Sequence, residues 1–149
     1  MGLPIFGRKK SQPAQARDPR ELYNAYFPRL FAFVHSCVRE VDRATQIIVD
    51  SFFDAFASAP SDEDSFRLML FRAARGRCWP TLKRAKSRDT LTPREREVVA
   101  LTFDARLSRT EVGRLCRMRD SAVAYHLMKG LSKLRDRTPA SLVAAHLNG

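Results

Sequence analysis

Cysteine is scarce in this 149-residue chain, and the three present, Cys37, Cys78 and Cys116, are odd in number and widely separated. That pattern excludes a disulfide framework; each cysteine sits inside an apolar helical pattern and reads as a small core residue in a reducing, cytoplasmic setting. Histidine is equally rare, at three, and His35 and Cys37 have no second ligand pair at metal spacing, so no metal site is expected. Six glycines are too few and too scattered for a phosphate-cradling loop, and no paired carboxylates stand in an apolar setting. The sequence therefore argues against an enzyme and calls for no cofactor. No apolar run approaches the length of a membrane span, so no membrane span is expected.

Acidic residues are missing from one half in particular. The chain carries 27 Lys and Arg against 16 Asp and Glu, a net charge of +11. Residues 67–137 hold 19 basic against 7 acidic side chains, net +12, and the remainder nets −1. One segment thus carries the entire excess, the electrostatic footprint of a polyanion binder. A membrane-surface role would also use basic residues, but it needs a broad apolar face available to lipid.

Within that segment, Ser108 to Arg135 reads as two helices joined by a tight turn. Ser108 with Glu111 forms a capping box, and Val112, Leu115 and Cys116 share one face. After Arg117-Met118-Arg119 a second helix starts near Asp120. Its apolar stripe is Val123, Leu127, Leu131 and Leu134, leaving Ser121, Ala122, Tyr125, His126 and Lys129 outward. Small, polar and basic side chains at the start of such a helix suit a major groove, and Arg109, Arg114, Arg117 and Arg119 can meet phosphates. An ordinary amphipathic hairpin with a solvated basic face is the competing reading. Thr92-Pro93-Arg94-Glu95 opens a preceding helix with a cap, a first-turn proline and a capping-box glutamate, and Val98, Val99, Leu101 and Thr102 form its expected apolar face.

The N-terminal half reads as helical throughout. Residues 1–17 form an expected disordered basic arm. Asp18-Pro19-Arg20-Glu21 starts a long helix with Leu22, Tyr23, Tyr26, Phe27, Leu30, Phe31, Val34 and Val38 inward and Pro28 as an expected kink. A second helix, Asp42 to about Phe56, turns Ala44, Ile47, Ile48, Phe52, Ala55 and Phe56 inward. A third starts at Ser61 and runs through Phe66, Leu70, Ala73 and Ala74 towards Trp79, with Pro80 disturbing its end. Nine of the ten phenylalanines precede residue 72, so the aromatic core belongs to this half. The expected fold is all-α: two small helical domains, 18–84 and 91–137, joined by a short basic linker, 85–90, the second domain a helix-turn-helix DNA-binding domain. Residues 138–149 form a tail or short helix, with Leu142, Val143 and Leu147 on one side.

Glu21-Leu-Tyr-Asn-Ala-Tyr-Phe-Pro-Arg-Leu-Phe-Ala-Phe33, Phe66-Arg-Leu-Met-Leu-Phe-Arg-Ala-Ala-Arg75, Leu91-Thr-Pro-Arg-Glu-Arg-Glu-Val98 and the helix pair with Lys133-Leu-Arg135 together resemble sigma factors of the extracytoplasmic-function type, in that family's order. LuxR-type response regulators share words like Leu91 to Val98, but their receiver domain needs alternating strands and helices. The resemblance implies a cytoplasmic transcription initiation factor whose partners are core RNA polymerase, promoter DNA and, as a candidate, an anti-sigma protein. It implies polymerase docking by Thr45, Gln46, Val49 and Asp50. Melted downstream DNA would fall to Arg72, Arg75, Arg77, Trp79, Lys83 and Arg84, since arginines track phosphates and an aromatic stacks on a base. The upstream duplex would fall to Arg109, Arg117, Arg119, Ser121, Ala122, Tyr125, His126 and Lys129.

The chain departs from the family at several of these places. Gly76 and Pro80 predict a looser third helix, Arg117 stands at the family's turn glycine, and Asp62, Glu63 and Asp64 crowd the loop that would accept a flipped base. A sigma-derived regulator or interaction protein that no longer initiates transcription is therefore the alternative reading. A purely helical adaptor ranks last, because it would make the +12 half a solvated surface only.

Overall fold

The computed structural model describes residues 17–85 and 91–137. The expected basic arm up to residue 16, all but Ala85 of the linker and the C-terminal tail lie outside them. The described residues form six helices and no strand: α1 Pro19–Val38, α2 Val41–Ala57, α3 Glu63–Arg84, α4 Pro93–Phe103, α5 Arg109–Cys116 and α6 Asp120–Arg137. The chain divides into two compact units, with the division between Thr81 and Leu82, inside the last turns of α3.

In the first unit, α1 begins where the Asp18 carboxylate accepts the Arg20 N–H at 3.1 Å and Pro19 supplies the first turn. It ends at Arg39, whose left-handed backbone (φ 56°) lets its N–H donate to the His35 carbonyl. Pro28 lies within α1 without ending it. The buried stripe is Leu22, Tyr26, Leu30, Phe33, Val34 and Cys37. Tyr23, expected inside, is exposed, Phe27, Phe31 and Val38 are half-buried, and Phe33 is fully buried instead. Leu22, Tyr26, Leu30 and Val34 are inside as expected, while the adjoining row Tyr23, Phe27 and Phe31 turns partly to solvent. The Phe27 and Phe31 rings and His35 stack along the flank of α1, with centroids 6.0 and 5.3 Å apart.

Helix α2 buries Ala44, Ile47, Ile48, Ser51, Phe52 and Ala55, while Phe56 is half-buried. Ser51 is tolerated there because its hydroxyl donates to the Ile47 carbonyl at 2.7 Å. Phe66 on α3 joins the three helices, its ring 5.9 Å from Tyr26, 6.5 Å from Phe52 and 5.0 Å from Phe56. The cap of α3 is Asp62, whose carboxylate accepts the Ser65 N–H at 2.7 Å, so the helix starts two residues later than expected. It then continues through Gly76 and Pro80 to Arg84, which corrects the expectation of a disturbed end at Pro80. Proline removes one rung of the ladder, the bond to the carbonyl four residues back, which is that of Gly76. Gly76 is exposed, so water can donate to that carbonyl in place of the missing N–H. Ala73, expected inside, is half-buried.

In the second unit, α4 and α5 both open on complete capping boxes, Thr92 with Glu95 and Ser108 with Glu111. The buried side of α4 is Glu95, Glu97, Val98, Ala100 and Leu101; Val99 and Thr102 are half-exposed, contrary to the expected face. The two carboxylates are inside because each has partners. Glu95 Oε1 accepts from Lys133 Nζ at 2.7 Å and from the Thr92 N–H at 3.0 Å. Glu97 Oε1 accepts from Arg94 at 3.1 Å and from the Cys116 thiol at 3.5 Å. Burial works against the charge of Glu95, but the Lys133 and Thr92 bonds outweigh it and hold the carboxyl below the ordinary glutamate range.

The stripe of α6 also departs from expectation. Val123 is buried and Leu127 half-buried, whereas Leu131 and Leu134 are exposed. Helix α6 instead crosses α4 at Gly130, where an added Cβ would lie 2.9 Å from Val99 Cγ2, and one turn on through the Lys133–Glu95 ion pair. A glycine and a cation made this contact invisible to a search for apolar spacing.

Candidate nucleic-acid interface

The turn between α5 and α6 places the start of α6. Arg117 adopts a left-handed backbone, φ 56° and ψ 50°, and its N–H donates to the Gly113 carbonyl. The Met118 N–H donates to the same carbonyl at 2.8 Å. Gly113 is required by the approach of the chain after Arg117, since a Cβ there would lie 2.6 Å from the Met118 carbonyl oxygen. The Arg119 carbonyl then accepts the Ala122 and Val123 N–H groups and begins α6. Where a glycine would sit comfortably at 117, this chain keeps an arginine in a conformation that costs about 1–2 kcal/mol for an L-residue.

That geometry brings most of the expected duplex-reading residues to the surface. Arg109, Arg114, Arg117, Arg119, Ser121 and Lys129 are exposed, and Tyr125 is 59 % exposed. Ser121, Tyr125 and Lys129 follow one another at four-residue spacing and so line one face of α6. Lys129 Nζ stands 5.8 Å above the Tyr125 ring, which steadies both side chains. Two expected members differ. Ala122 is half-buried, and His126 is turned inward, with Nδ1 shielded from solvent and without a hydrogen-bond partner. With that nitrogen shielded, His126 belongs to the inner side of α6 rather than to the outer face.

The set expected for a melted strand falls into two groups. Arg72, Arg75 and Trp79 lie at spacings of three and four on one side of α3, with the Arg75 guanidinium 5.7 Å from the Trp79 ring. Arg72, Lys83 and Arg84 are exposed. Arg77 points elsewhere: it pairs with Asp54 at 2.8 Å and donates to the Ala73 carbonyl, a link between α2 and α3. Sequence spacing could have separated it, because residue 77 lies about 160° around the helix from residue 79.

The face expected to dock polymerase is exposed at Thr45, Gln46 and Val49 and half-buried at Asp50. Its polar members are engaged locally: the Thr45 hydroxyl donates to the Val41 carbonyl and the Gln46 amide to Asp50 Oδ1. Val41, Val49 and Phe53, exposed by 57, 55 and 71 %, complete a row with Thr45 at four-residue spacing. Val41 and Phe53 were missed, although their spacing signals them. Apart from Thr45, that row is apolar.

Beside the loop before α3 lies a cavity of about 160 Å³ with Leu22, Phe56 and Phe66 in its wall. The three acids that crowd this loop are all held. Asp62 caps α3, Asp64 pairs with Arg67 at 2.7 Å, and Glu63 accepts from Arg17 at 2.8 Å and from the Tyr26 hydroxyl at 2.7 Å. For Asp62, the bond from the Ser65 N–H lowers the carboxyl below its usual range. Burial opposes the charge of Glu63, and the bonds from Tyr26 and Arg17 overcome it, again lowering the carboxyl. Burial, helped by the bond to Glu63, pushes the Tyr26 phenol upward.

Among the described residues no cluster of His, Cys, Asp and Glu could hold a metal ion, and no helix is long and apolar enough to cross a membrane. No protein-family model, curated protein or solved structure matches this chain.

Proposed function

We propose that the chain is a cytoplasmic transcription initiation factor of the extracytoplasmic-function sigma type, in which the second unit is a helix-turn-helix domain that reads an upstream duplex element. The observation that carries this reading is the Ser121–Tyr125–Lys129 face of α6, presented behind the Arg117 turn with Arg117 and Arg119 exposed at its start, within a half of net charge +12. Ser121 and Tyr125 would address base edges; Lys129, Arg109, Arg117 and Arg119 would address phosphates. In the first unit, Arg72, Arg75 and Trp79 would meet a melted strand, and the α2 face would meet core polymerase.

The reading is tested by fluorescence anisotropy on labelled duplexes across a salt series. Binding should weaken steeply with salt, and Lys129→Glu and Arg119→Glu should each lower affinity about tenfold and reduce the slope by about one per lost phosphate contact. Unchanged affinity in both variants would remove DNA from the account.

One observation favours a second reading, a sigma-derived DNA-binding regulator that does not initiate. The α2 face exposes Val41, Val49 and Phe53, and its Gln46 and Asp50 are bonded to each other. Such a face suits an apolar partner better than a basic one.

A further inference from the structure

Helix α6 carries a large apolar side chain near the centre of its outward face. Met128 is 67 % exposed. At 100° per residue it lies about 20° around the helix from Ser121 and about 60° from Tyr125, and about 140–160° from the buried Val123 and Gly130. It therefore belongs to the Ser121–Tyr125–Lys129 face, on the side of Ser121 away from Lys129. One exposed methionine is ordinary, but this one stands beside exposed Tyr125 on a face that also carries Lys129 and follows exposed Arg117 and Arg119. Charge of that sign repels a second copy of the chain and attracts a polyanion.

The hydrogen-bonding groups of this face narrow what it reads. From Ser121 to Arg135, α6 contains no Asn, Gln, Asp or Glu. In the major groove adenine is matched by an amide and cytosine by a carboxylate, so that stretch lacks the usual partner of each. Thymine differs, because its C5-methyl group is read by apolar contact. Met128 offers such a contact, and an unbranched thioether chain adapts to where the methyl lies. From Ser121 to Met128 the helix rises about 10 Å, roughly three base-pair steps, so the two residues address different base pairs of one groove.

We propose that Met128 determines sequence preference by packing on the C5-methyl group of a thymine, which makes the duplex element of α6 a thymine-bearing one. This preference rests on the duplex-reading role proposed for α6.

The test lets the full chain select duplexes from a randomised library. The selected site is then resynthesised with each thymine in turn replaced by deoxyuracil, which lacks only the C5-methyl group, and fluorescence anisotropy at fixed salt reads the affinities. Deoxyuracil at one position should weaken binding about fourfold, the worth of burying one carbon. Met128→Ala should bind the thymine duplex about fourfold more weakly than the parent and should not distinguish thymine from deoxyuracil; Met128→Leu should restore the distinction. Since Met128 is exposed, alanine there leaves the packing of α6 in place, which circular dichroism checks. Duplex binding in which every deoxyuracil replacement is neutral, or in which the penalty survives Met128→Ala, overturns the proposal while leaving DNA as the ligand. A selection that enriches no thymine-bearing site overturns it in the same way. Absence of salt-sensitive binding to any duplex would instead remove the reading role of α6, and the thymine preference with it.

Discussion

Gly113→Ala tests the turn on which the interface depends. The new methyl would lie 2.6 Å from the Met118 carbonyl oxygen, a backbone atom fixed in place by the Met118 N–H bond to the Gly113 carbonyl. Relief requires the α5–α6 turn to open. Overpacking of this kind costs about 1–3 kcal/mol, and loss of the turn bond adds about 0.5–1.5 kcal/mol. Alanine returns only about 0.5–1 kcal/mol of helix propensity. The expected net is a destabilisation of about 1–3 kcal/mol confined to the second unit. Gly76→Ala is the control: nothing lies within 4 Å of its Cβ position, so the propensity gain stands alone and the first unit should gain about 0.5–1 kcal/mol. Amide hydrogen exchange reads the two units separately, which a single melting curve would not. A Gly113→Ala variant as protected in α4–α6 as the parent would refute the reasoning, as would a loss of protection from Gly76→Ala.

Three other outcomes follow from the same contacts. Arg117→Gly should stabilise the second unit by about 1 kcal/mol by removing the left-handed strain, and in duplex binding it should lower the salt slope by about one; Arg117→Ala should change the slope alike without the stability gain. Lys133→Met should destabilise the α4–α6 contact by about 1–3 kcal/mol, seen in urea unfolding, because Glu95 keeps only the Thr92 N–H. Glu95 and Glu63 have lowered folded pKa values, so the stability they add is complete above the ordinary glutamate pKa and disappears as pH falls through their folded values. Exchange protection measured from pH 6 to pH 3 should fall in both units, and Glu95→Gln should flatten the acid limb of the second unit alone.

Helix starts were legible in this sequence because capping is local chemistry: Asp18-Pro19, Thr92 with Glu95 and Ser108 with Glu111 each announce a terminus without reference to the rest of the chain. Burial was legible only where apolar residues do the packing. Gly130, Lys133 and Glu95 meet in the α4–α6 contact, and none of them has an apolar signature, so hydrophobic periodicity assigned that role to Leu131 and Leu134 instead. The direction of a long side chain is a matter of partners as well as position. Arg77 finds Asp54, and His126 buries its Nδ1 rather than presenting it outward. Pro80 was expected to disturb the end of α3 because proline removes a ladder bond, yet an exposed glycine four residues earlier makes the lost bond cheap.

Run-off transcription tests the initiating role most directly. Purified protein is mixed with bacterial core RNA polymerase, retained complex is isolated, and transcripts are read from a library of promoter fragments. An initiation factor should retain polymerase and yield discrete transcripts that depend on Tyr125 and Lys129. Salt-sensitive duplex binding with no polymerase retained and no transcript would contradict that role and leave a DNA-binding regulator.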